Sequence, residues 1–165
     1  MPDSTYLAPP AWHASLPGVV AAASALIANG SGAVLLVKPN YREHWTLPGG
    51  MCEFGEPPHA ACAREVAEEL GLDLKIGSLL AVDWQLPLAS YGPGARPAVY
   101  FVFDGGTISG RSDIILQQQE LDEWRFVAEQ DLPGYLPQQM MPRVLVAIAG
   151  RAGGCASYVP CSSRG

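Results

Sequence analysis

The chain is 165 residues long, which suits one domain with its own buried core. Its composition, 48% hydrophobic and 16% charged with 18 glycines and 15 prolines, excludes disorder throughout and predicts a globular fold rich in turns. The net charge of −6 argues against nucleic acid as a partner, because proteins that bind a phosphate backbone present a basic face.

A membrane partner is not expected either. The apolar run at 19–28 is too short to cross a bilayer, and no basic segment precedes an apolar core at the N-terminus. The four cysteines contain no CxxC pair, and no histidine stands at a zinc-binding spacing from them. These features predict a soluble, cytoplasmic protein without a zinc site. The alternative for Cys155 and Cys161 is a disulfide between them.

Three segments are predicted along the chain. Residues 1–17 contain four prolines and no periodic pattern, so they are expected to form an N-terminal arm that lies on the surface or stays mobile. Residues 18–150 are predicted to form the folded domain. Residues 151–165 are expected to form a flexible C-terminal tail.

The domain is predicted to begin with a hairpin and to continue with a helix. Apolar runs at 19–28 and 33–38 flank Asn29-Gly30-Ser31-Gly32, a sequence typical of a turn between two strands. Pro57 and Pro58 stand where first-turn prolines are tolerated, and the following alanine- and glutamate-rich stretch predicts a helix that ends at Leu70 before Gly71.

The second half is predicted to alternate strands with a closing helix. Strand character is present at 74–85, 98–104 and 124–128, and 137–149 predicts a helix that begins near Pro142. Strands on both sides of a central helix, followed by a terminal helix, indicate a mixed β-sheet covered by helices.

The central helix carries three glutamates opposite its apolar side. At about 100° per residue, Glu65, Glu68 and Glu69 lie on one side, and Val66 and Leu70 on the other. A solvated acidic surface is the simpler interpretation. However, like charges four residues apart cost a few tenths of a kcal/mol, and anions in a last helical turn cost roughly 0.3–1 kcal/mol each. A bound divalent cation would remove these penalties, so the pattern favours a metal site.

These residues resemble the Nudix box, in which glycine and glutamate precede an Arg-Glu-aliphatic-X-Glu-Glu-X-Gly-aliphatic sequence. Nine specified positions match within 23 residues, which is far more specific than an isolated glycine-rich loop. They are Gly50, Glu56, Arg64, Glu65, Val66, Glu68, Glu69, Gly71 and Leu72. The resemblance implies a Nudix-type α/β/α sandwich with a mixed sheet, extending over about 18–150.

The resemblance also implies a metal-dependent pyrophosphohydrolase. It assigns the main Mg²⁺ ion to Glu65 and Glu69, with Mn²⁺ as a substitute, and makes Glu68 a further ligand or the base. Arg64 and Glu56 would form a pair that orients these glutamates.

Two further groups complete the expected catalytic and metal-binding set. The tight Trp45–Gly50 turn brings backbone groups towards the helix, so the Gly50 carbonyl is a candidate metal ligand. Family members often supply another acid from beyond the box. Glu120 is favoured here over Glu123, although either could be an ordinary exposed loop charge.

The substrate is expected to be a nucleotide-type small molecule. Trp84 or Tyr91 could stack on a base, while Arg96 and His44 could contact phosphate; ordinary packing is the alternative for both aromatic residues. ADP-ribose, a nucleotide sugar and a noncanonical nucleoside triphosphate all remain open as substrates. The competing hypothesis is a noncatalytic Nudix-fold nucleotide sensor. The oligomeric state also stays open, and a homodimer is compatible with the resemblance.

Overall fold

The computed structural model describes residues 10–87, 92–109 and 114–160. Within these residues the chain forms three α-helices and a 3-10 helix around one sheet of seven strands. The helices are α1 Pro10–Ser15, α2 Pro58–Leu70 and α3 Met141–Gly153, and the 3-10 helix is Glu129–Gly134. The strands are β1 Val20–Ala28, β2 Val34–Pro39, β3 Gly49–Met51, β4 Leu79–Gln85, β5 Ala98–Thr107, β6 Leu121–Val127 and β7 Ser157–Val159.

The sheet is mixed, and two strands pair with different parts of one edge of β1. Its strand order is β6-β2-β1-β5-β4-β7, with β1 parallel to β5 and β4 parallel to β7. Strand β2 pairs with the end of β1 at Ala28, while β3 pairs with its middle at Ala22, Ala23 and Ser24. Two different segments therefore share one edge of β1, and the short β3 brings its glycines to the centre of the sheet.

Each face of the sheet is covered by one long helix, because alternate residues along the strands supply two separate cores. On one face, Val66 and Leu70 of α2 pack with Ala23 and Ile27 of β1. On the other, Val144 of α3 packs with residues such as Leu26 and Val102. This arrangement confirms the predicted α/β/α sandwich.

Helix α2 begins and ends where the sequence predicts. Pro58 occupies the first turn, where a missing backbone N–H leaves no intrahelical bond unmade. Gly71 ends the helix at φ 66°, a left-handed conformation that glycine adopts without steric cost, and its N–H donates to the Ala67 carbonyl. The hairpin of β1 and β2 also confirms its prediction.

Several element boundaries differ from the prediction. Strand β4 starts at Leu79 and not at residue 74 as predicted. Residues 74–78 alternate in burial as a strand does, but the pairing with β5 begins only near Ser78, whose carbonyl accepts from the Asp104 N–H. The arm at 1–17 contains the exposed helix α1, and residues 1–9 lie outside the described part. Short β3 and the 3-10 helix were not predicted.

The expectation of a flexible tail is corrected for residues 151–159. Helix α3 continues to Gly153, and β7 adds to the sheet beside β4, with Val159 buried. The polar, glycine-rich composition of this segment does not predict a strand, because the strand forms through its pairing with β4. Cys161 lies outside the described residues, as does any disulfide it would make. Over the described ranges, none of the helices is long and apolar enough to cross a membrane.

Candidate active site

A cavity of about 600 Å³ opens on the α3 side of the sheet, at the point where β3 enters beside β1. Small side chains from β1 and β5 form its floor, namely Ala22, Ser24 and Ala98. Glu65 and Glu69 of α2 line it together with Glu120, which immediately precedes β6. The cavity therefore collects three carboxylates from two separate parts of the chain.

The two glycines of β3 allow the carboxylates of α2 to reach this cavity. The Gly49 N–H donates to Glu69 Oε2 at 2.8 Å. A Cβ at Gly49, where φ is 141°, would collide with the backbone of β1, and a Cβ at Gly50 would collide with the Glu65 carboxylate. A side chain at either position would displace what it meets, so the sequence Gly49-Gly50 determines where both glutamates lie.

Glu69 is a buried carboxylate, with only 7% of its surface exposed. The pKa of Glu69 is raised to about 8, mainly because burial disfavours the charged form. The Gly49 hydrogen bond lowers this pKa, whereas the nearby charges of Glu65 and Glu120 raise it. Burial also raises the pKa of Glu65, against the lowering effect of Arg64. A cation beside these groups would stabilise their charged forms.

Arg64 joins the carboxylates of the box. Its Nε and Nη2 donate to the two oxygens of Glu56, each at 3.0 Å, which is the bidentate geometry that matches guanidinium to carboxylate. Nη1 donates to Glu65 Oε1 at 2.9 Å and to Glu68 Oε2 at 3.1 Å. Nη2 also donates to the Met51 carbonyl, so the arginine ties α2 to the end of β3. The contacts expected between Arg64, Glu56 and Glu65 are therefore present.

The three glutamates of α2 do not lie together as the helical projection predicted. Glu69 belongs to the buried side that packs on the sheet, together with Val66 and Leu70. Glu68 has 51% of its side chain exposed, contacts Arg64 and lies outside the described wall of the cavity. The projection failed because α2 packs against β3 as well as against β1 and β5, so its buried side is wider than its apolar side.

The expected substrate contacts are divided between the cavity and other places. His44 and Arg96 line the cavity, as does Gly50. Trp84 does not line it: it lies between Asp83 and Gln85 on β4, and side chains alternate between the faces of a strand. Tyr91 lies outside the described residues. Glu123, the alternative to Glu120, contacts Arg125 at 3.5 Å.

A polar cluster around the buried pair of Arg143 and Asp83 borders the cavity, beyond the residues that the sequence singled out. Arg143 Nη1 donates to Asp83 Oδ2 at 2.8 Å, and the guanidinium carbon lies 4.0 Å from the centre of the Tyr100 ring. Gln85 Nε2 donates to both oxygens of Asp83 at 2.9 Å. A lone acid in a predicted strand and an arginine after a helix-starting proline were the only signals in the sequence, and neither indicates a pair.

The acidic side chains of the cavity fit a hard divalent cation. Mg²⁺ prefers oxygen ligands and is usually held by one or two carboxylates, with water and substrate phosphate as the other ligands. Glu65 and Glu69 supply such oxygens, one packed against Gly50 and one held by Gly49. Among the described residues, no three His, Cys, Asp or Glu side chains form a complete metal-binding group.

Solved structures share this fold. The MutT protein from Methanosarcina mazei Go1 superposes with a TM-score of 0.67 at 25% identity, covering 83% of this chain and 99% of that one. A MutT Nudix hydrolase from Burkholderia pseudomallei gives a TM-score of 0.64 at 26% identity, covering 80% and 97%. The fold is thus that of the MutT-like proteins.

The NUDIX domain model matches residues 19–145, so the chain belongs to the Nudix hydrolase family. Among curated relatives, a putative ADP-ribose pyrophosphatase of Bacillus subtilis is 45% identical over 49 residues, which cover 30% of this chain and 24% of the relative. Diphosphoinositol polyphosphate phosphohydrolase 2 of Rattus norvegicus is 48% identical over 50 residues, covering 30% and 28%. These matches span about a quarter of each relative's length.

Proposed function

We propose that the protein hydrolyses a pyrophosphate bond in a nucleoside diphosphate linked to a further group, with Mg²⁺ as cofactor and Mn²⁺ as a substitute. One observation carries the proposal: Glu65, Glu69 and Glu120 line the same cavity as the basic residues Arg42 and Arg96. Acidic groups suit a metal ion, and basic groups suit the phosphates and the rest of an anionic substrate.

Glu65 and Glu69 would hold the metal, with the Gly50 carbonyl beside them. When bound, Mg²⁺ offsets the negative charge of the diphosphate and lowers the pKa of the attacking water. Arg64 keeps Glu65 in place through its hydrogen bond at 2.9 Å, and Gly49 does the same for Glu69. Both carboxylates are therefore oriented before substrate arrives.

Glu120 is proposed as the group that accepts the proton from the attacking water. It is exposed at the edge of the cavity, and its charge acts on both Glu65 and Glu69. A solvated carboxylate exchanges a proton readily with bulk water after each turnover. Glu68, which faces Arg64 away from the cavity, is better suited to holding that arginine.

The site constrains the group beyond the diphosphate less than it constrains the diphosphate itself. The Bacillus subtilis relative is described as a putative ADP-ribose pyrophosphatase, and a Mycobacterium tuberculosis relative as a putative 8-oxo-dGTP diphosphatase. A nucleotide with either a sugar or a phosphate beyond its diphosphate would present the same pyrophosphate bond to these catalytic groups. The proposal therefore covers ADP-ribose, nucleotide sugars and noncanonical nucleoside triphosphates.

The test is a screen over these substrates with Mg²⁺ or Mn²⁺, on wild type and on Glu69→Gln, in which chromatography measures the nucleoside monophosphate that cleavage of the pyrophosphate bond releases. We expect turnover by the wild type and a loss of at least about 100-fold in kcat for the variant, which loses a ligand charge at the reacting centre. Glu129→Gln, at an exposed glutamate far along the chain, is the matched control and should retain wild-type turnover. Inactivity of the wild type over the whole panel would instead favour a nucleotide sensor.

A further inference from the structure

The cluster of Asp83, Gln85, Tyr100 and Arg143 has no part in the proposed metal chemistry, although all of its members except Asp83 line the same cavity. Asp83 is fully buried, and Arg143 is only 8% exposed although it lines the cavity. Asp83 holds one end of the guanidinium, and the Tyr100 ring covers one of its faces. The guanidinium plane is therefore fixed before any ligand binds.

The register of the sheet places this cluster at the far end of the cavity from the glutamates. Met51 of β3, Ala22 of β1, Tyr100 of β5 and Asp83 of β4 are direct neighbours in one row across four strands. Three strand spacings of about 4.8 Å separate Met51 from Asp83 by roughly 14 Å. A substrate whose diphosphate lies at the glutamates would extend over Ala22 towards Tyr100 and Arg143.

Charge at this end favours an uncharged ligand group over another phosphate. Asp83 neutralises Arg143 at 2.8 Å, so the pair has no net charge to attract an anion. The guanidinium donors that Asp83 does not take are available to a ligand in the cavity that Arg143 lines. An uncharged planar group with hydrogen-bond acceptors on its edge, as a nucleobase has, matches a fixed planar donor of this kind.

The orientation of the Gln85 amide helps to indicate which base the cavity binds. Because a carboxylate only accepts hydrogen bonds, the Gln85 amide must turn its nitrogen to Asp83, and this nitrogen donates to both carboxylate oxygens. Adenine is commonly read by an amide side chain that donates and accepts at once, whereas the Gln85 amide is turned towards Asp83. Arginine, by contrast, pairs with two adjacent acceptors, such as the carbonyl oxygen and ring nitrogen of guanine.

We propose that Arg143, held in place by Asp83 and Tyr100, selects the base of the substrate and favours a guanine-type base over adenine. This inference rests on the proposed function, which places the diphosphate at the glutamates. Arg143 touches the base and sets specificity, whereas Asp83 and Tyr100 act through Arg143 as positioning residues.

The test compares substrates that differ only in the base: GTP, ITP and ATP, and GDP-glucose with ADP-glucose. We expect kcat/KM to be about tenfold or more higher for the guanine substrates, with ITP close to GTP because it keeps the same carbonyl oxygen and ring nitrogen. Arg143→Lys keeps the charge beside Asp83 but loses the planar fork. It should lower kcat/KM for GTP about tenfold through KM, and change the value for ATP less than about threefold.

Arg151→Lys is the matched control, since Arg151 lies on the same helix and contacts an aspartate, Asp104 at 3.4 Å, outside the cavity. It should leave base selectivity unchanged. Equal use of guanine and adenine substrates by the wild type, or equal losses for both in Arg143→Lys, would overturn the inference and assign the cluster to fold stability.

Binding of GMP and AMP, measured by calorimetry without metal, separates the two proposals. A guanine preference in binding without turnover would reject only the hydrolase.

Discussion

At the scale of single residues, Glu69 combines two unfavourable features. Its carboxylate is buried, and two other carboxylates act on it through their charges. The hydrogen bond from Gly49 lowers the pKa of Glu69, and so does the charge of Arg42. An ionised carboxylate in this position destabilises the metal-free protein. The site therefore suits a bound cation, whose positive charge would offset that of the carboxylate.

We expect the metal-free protein to lose stability as pH rises from about 5 to 9. The folded pKa of Glu69 is raised to about 8 from 4.5, so between these values the folded state keeps a proton that the unfolded state releases. Stability is then complete below the unfolded pKa and falls until the folded pKa is passed, by about 1.4 kcal/mol for each unit of difference. Melting temperatures in EDTA at pH 5.5 and 8.5 measure this loss.

The Glu69→Gln variant identifies the group responsible for the loss. It should show a clearly flatter pH dependence, while Glu129→Gln should keep the wild-type slope. Added Mg²⁺ should raise the melting temperature of the wild type at pH 8.5 and should change that of Glu69→Gln little, because the variant lacks the Glu69 charge. If the glutamine variant kept the full wild-type slope, Glu69 would not be the group that titrates.

At the scale of elements, the approach of β3 to both β1 and α2 decides whether the site forms. Gly49 faces the backbone of β1, whereas Gly50 faces the side chain of Glu65. A backbone contact cannot move without opening the sheet, but a glutamate side chain can rotate away. The two neighbouring glycines therefore support different properties of the protein.

We expect Gly49→Ala to reduce stability and Gly50→Ala to reduce activity. Gly49→Ala combines a backbone collision with an unfavourable φ of 141°, and should cost about 1–3 kcal/mol or more. Gly50→Ala should fold with a near-normal melting temperature but lose at least about tenfold in kcat, because Glu65 is displaced. Gly30→Ala, with nothing within 4 Å of the added carbon, is the control for both measurements. A Gly50→Ala variant with full turnover would contradict the placement of Glu65.

What the sequence predicted of these elements depends on how local their causes are. Helix α2 was predicted to its last residue, because Pro58 and Gly71 act on their own turns of backbone. The pair of Asp83 and Arg143 was not predictable, because 60 residues separate two side chains that only the packing of α3 on β4 brings together. Glu69 was placed on the wrong side of α2 since a helical projection contains no information about β3.

At the scale of the whole molecule, the C-terminal segment stabilises the part of the sheet that carries the Arg143 cluster. Strand β7 pairs with β4 in a register that sets Val159 beside Asp83. Helix α3 contacts both β4 and β7, so Arg143 on that helix and Asp83 on β4 belong to one packed unit. Without β7, β4 would become an edge strand with unpaired backbone groups beside Asp83.

We therefore expect a chain ending at Gly154 to be less stable than one ending at Pro160. The shorter chain loses the β7 pairing and the burial of Val159, a loss of about 1–3 kcal/mol that lowers the melting temperature by about 2–10 °C. Hydrogen exchange should show faster exchange in β4 but little change in β2, which lies three strands away. The chain ending at Pro160 removes only residues 161–165 and serves as the control. Identical melting curves for the two chains would mean that β7 contributes nothing to the sheet.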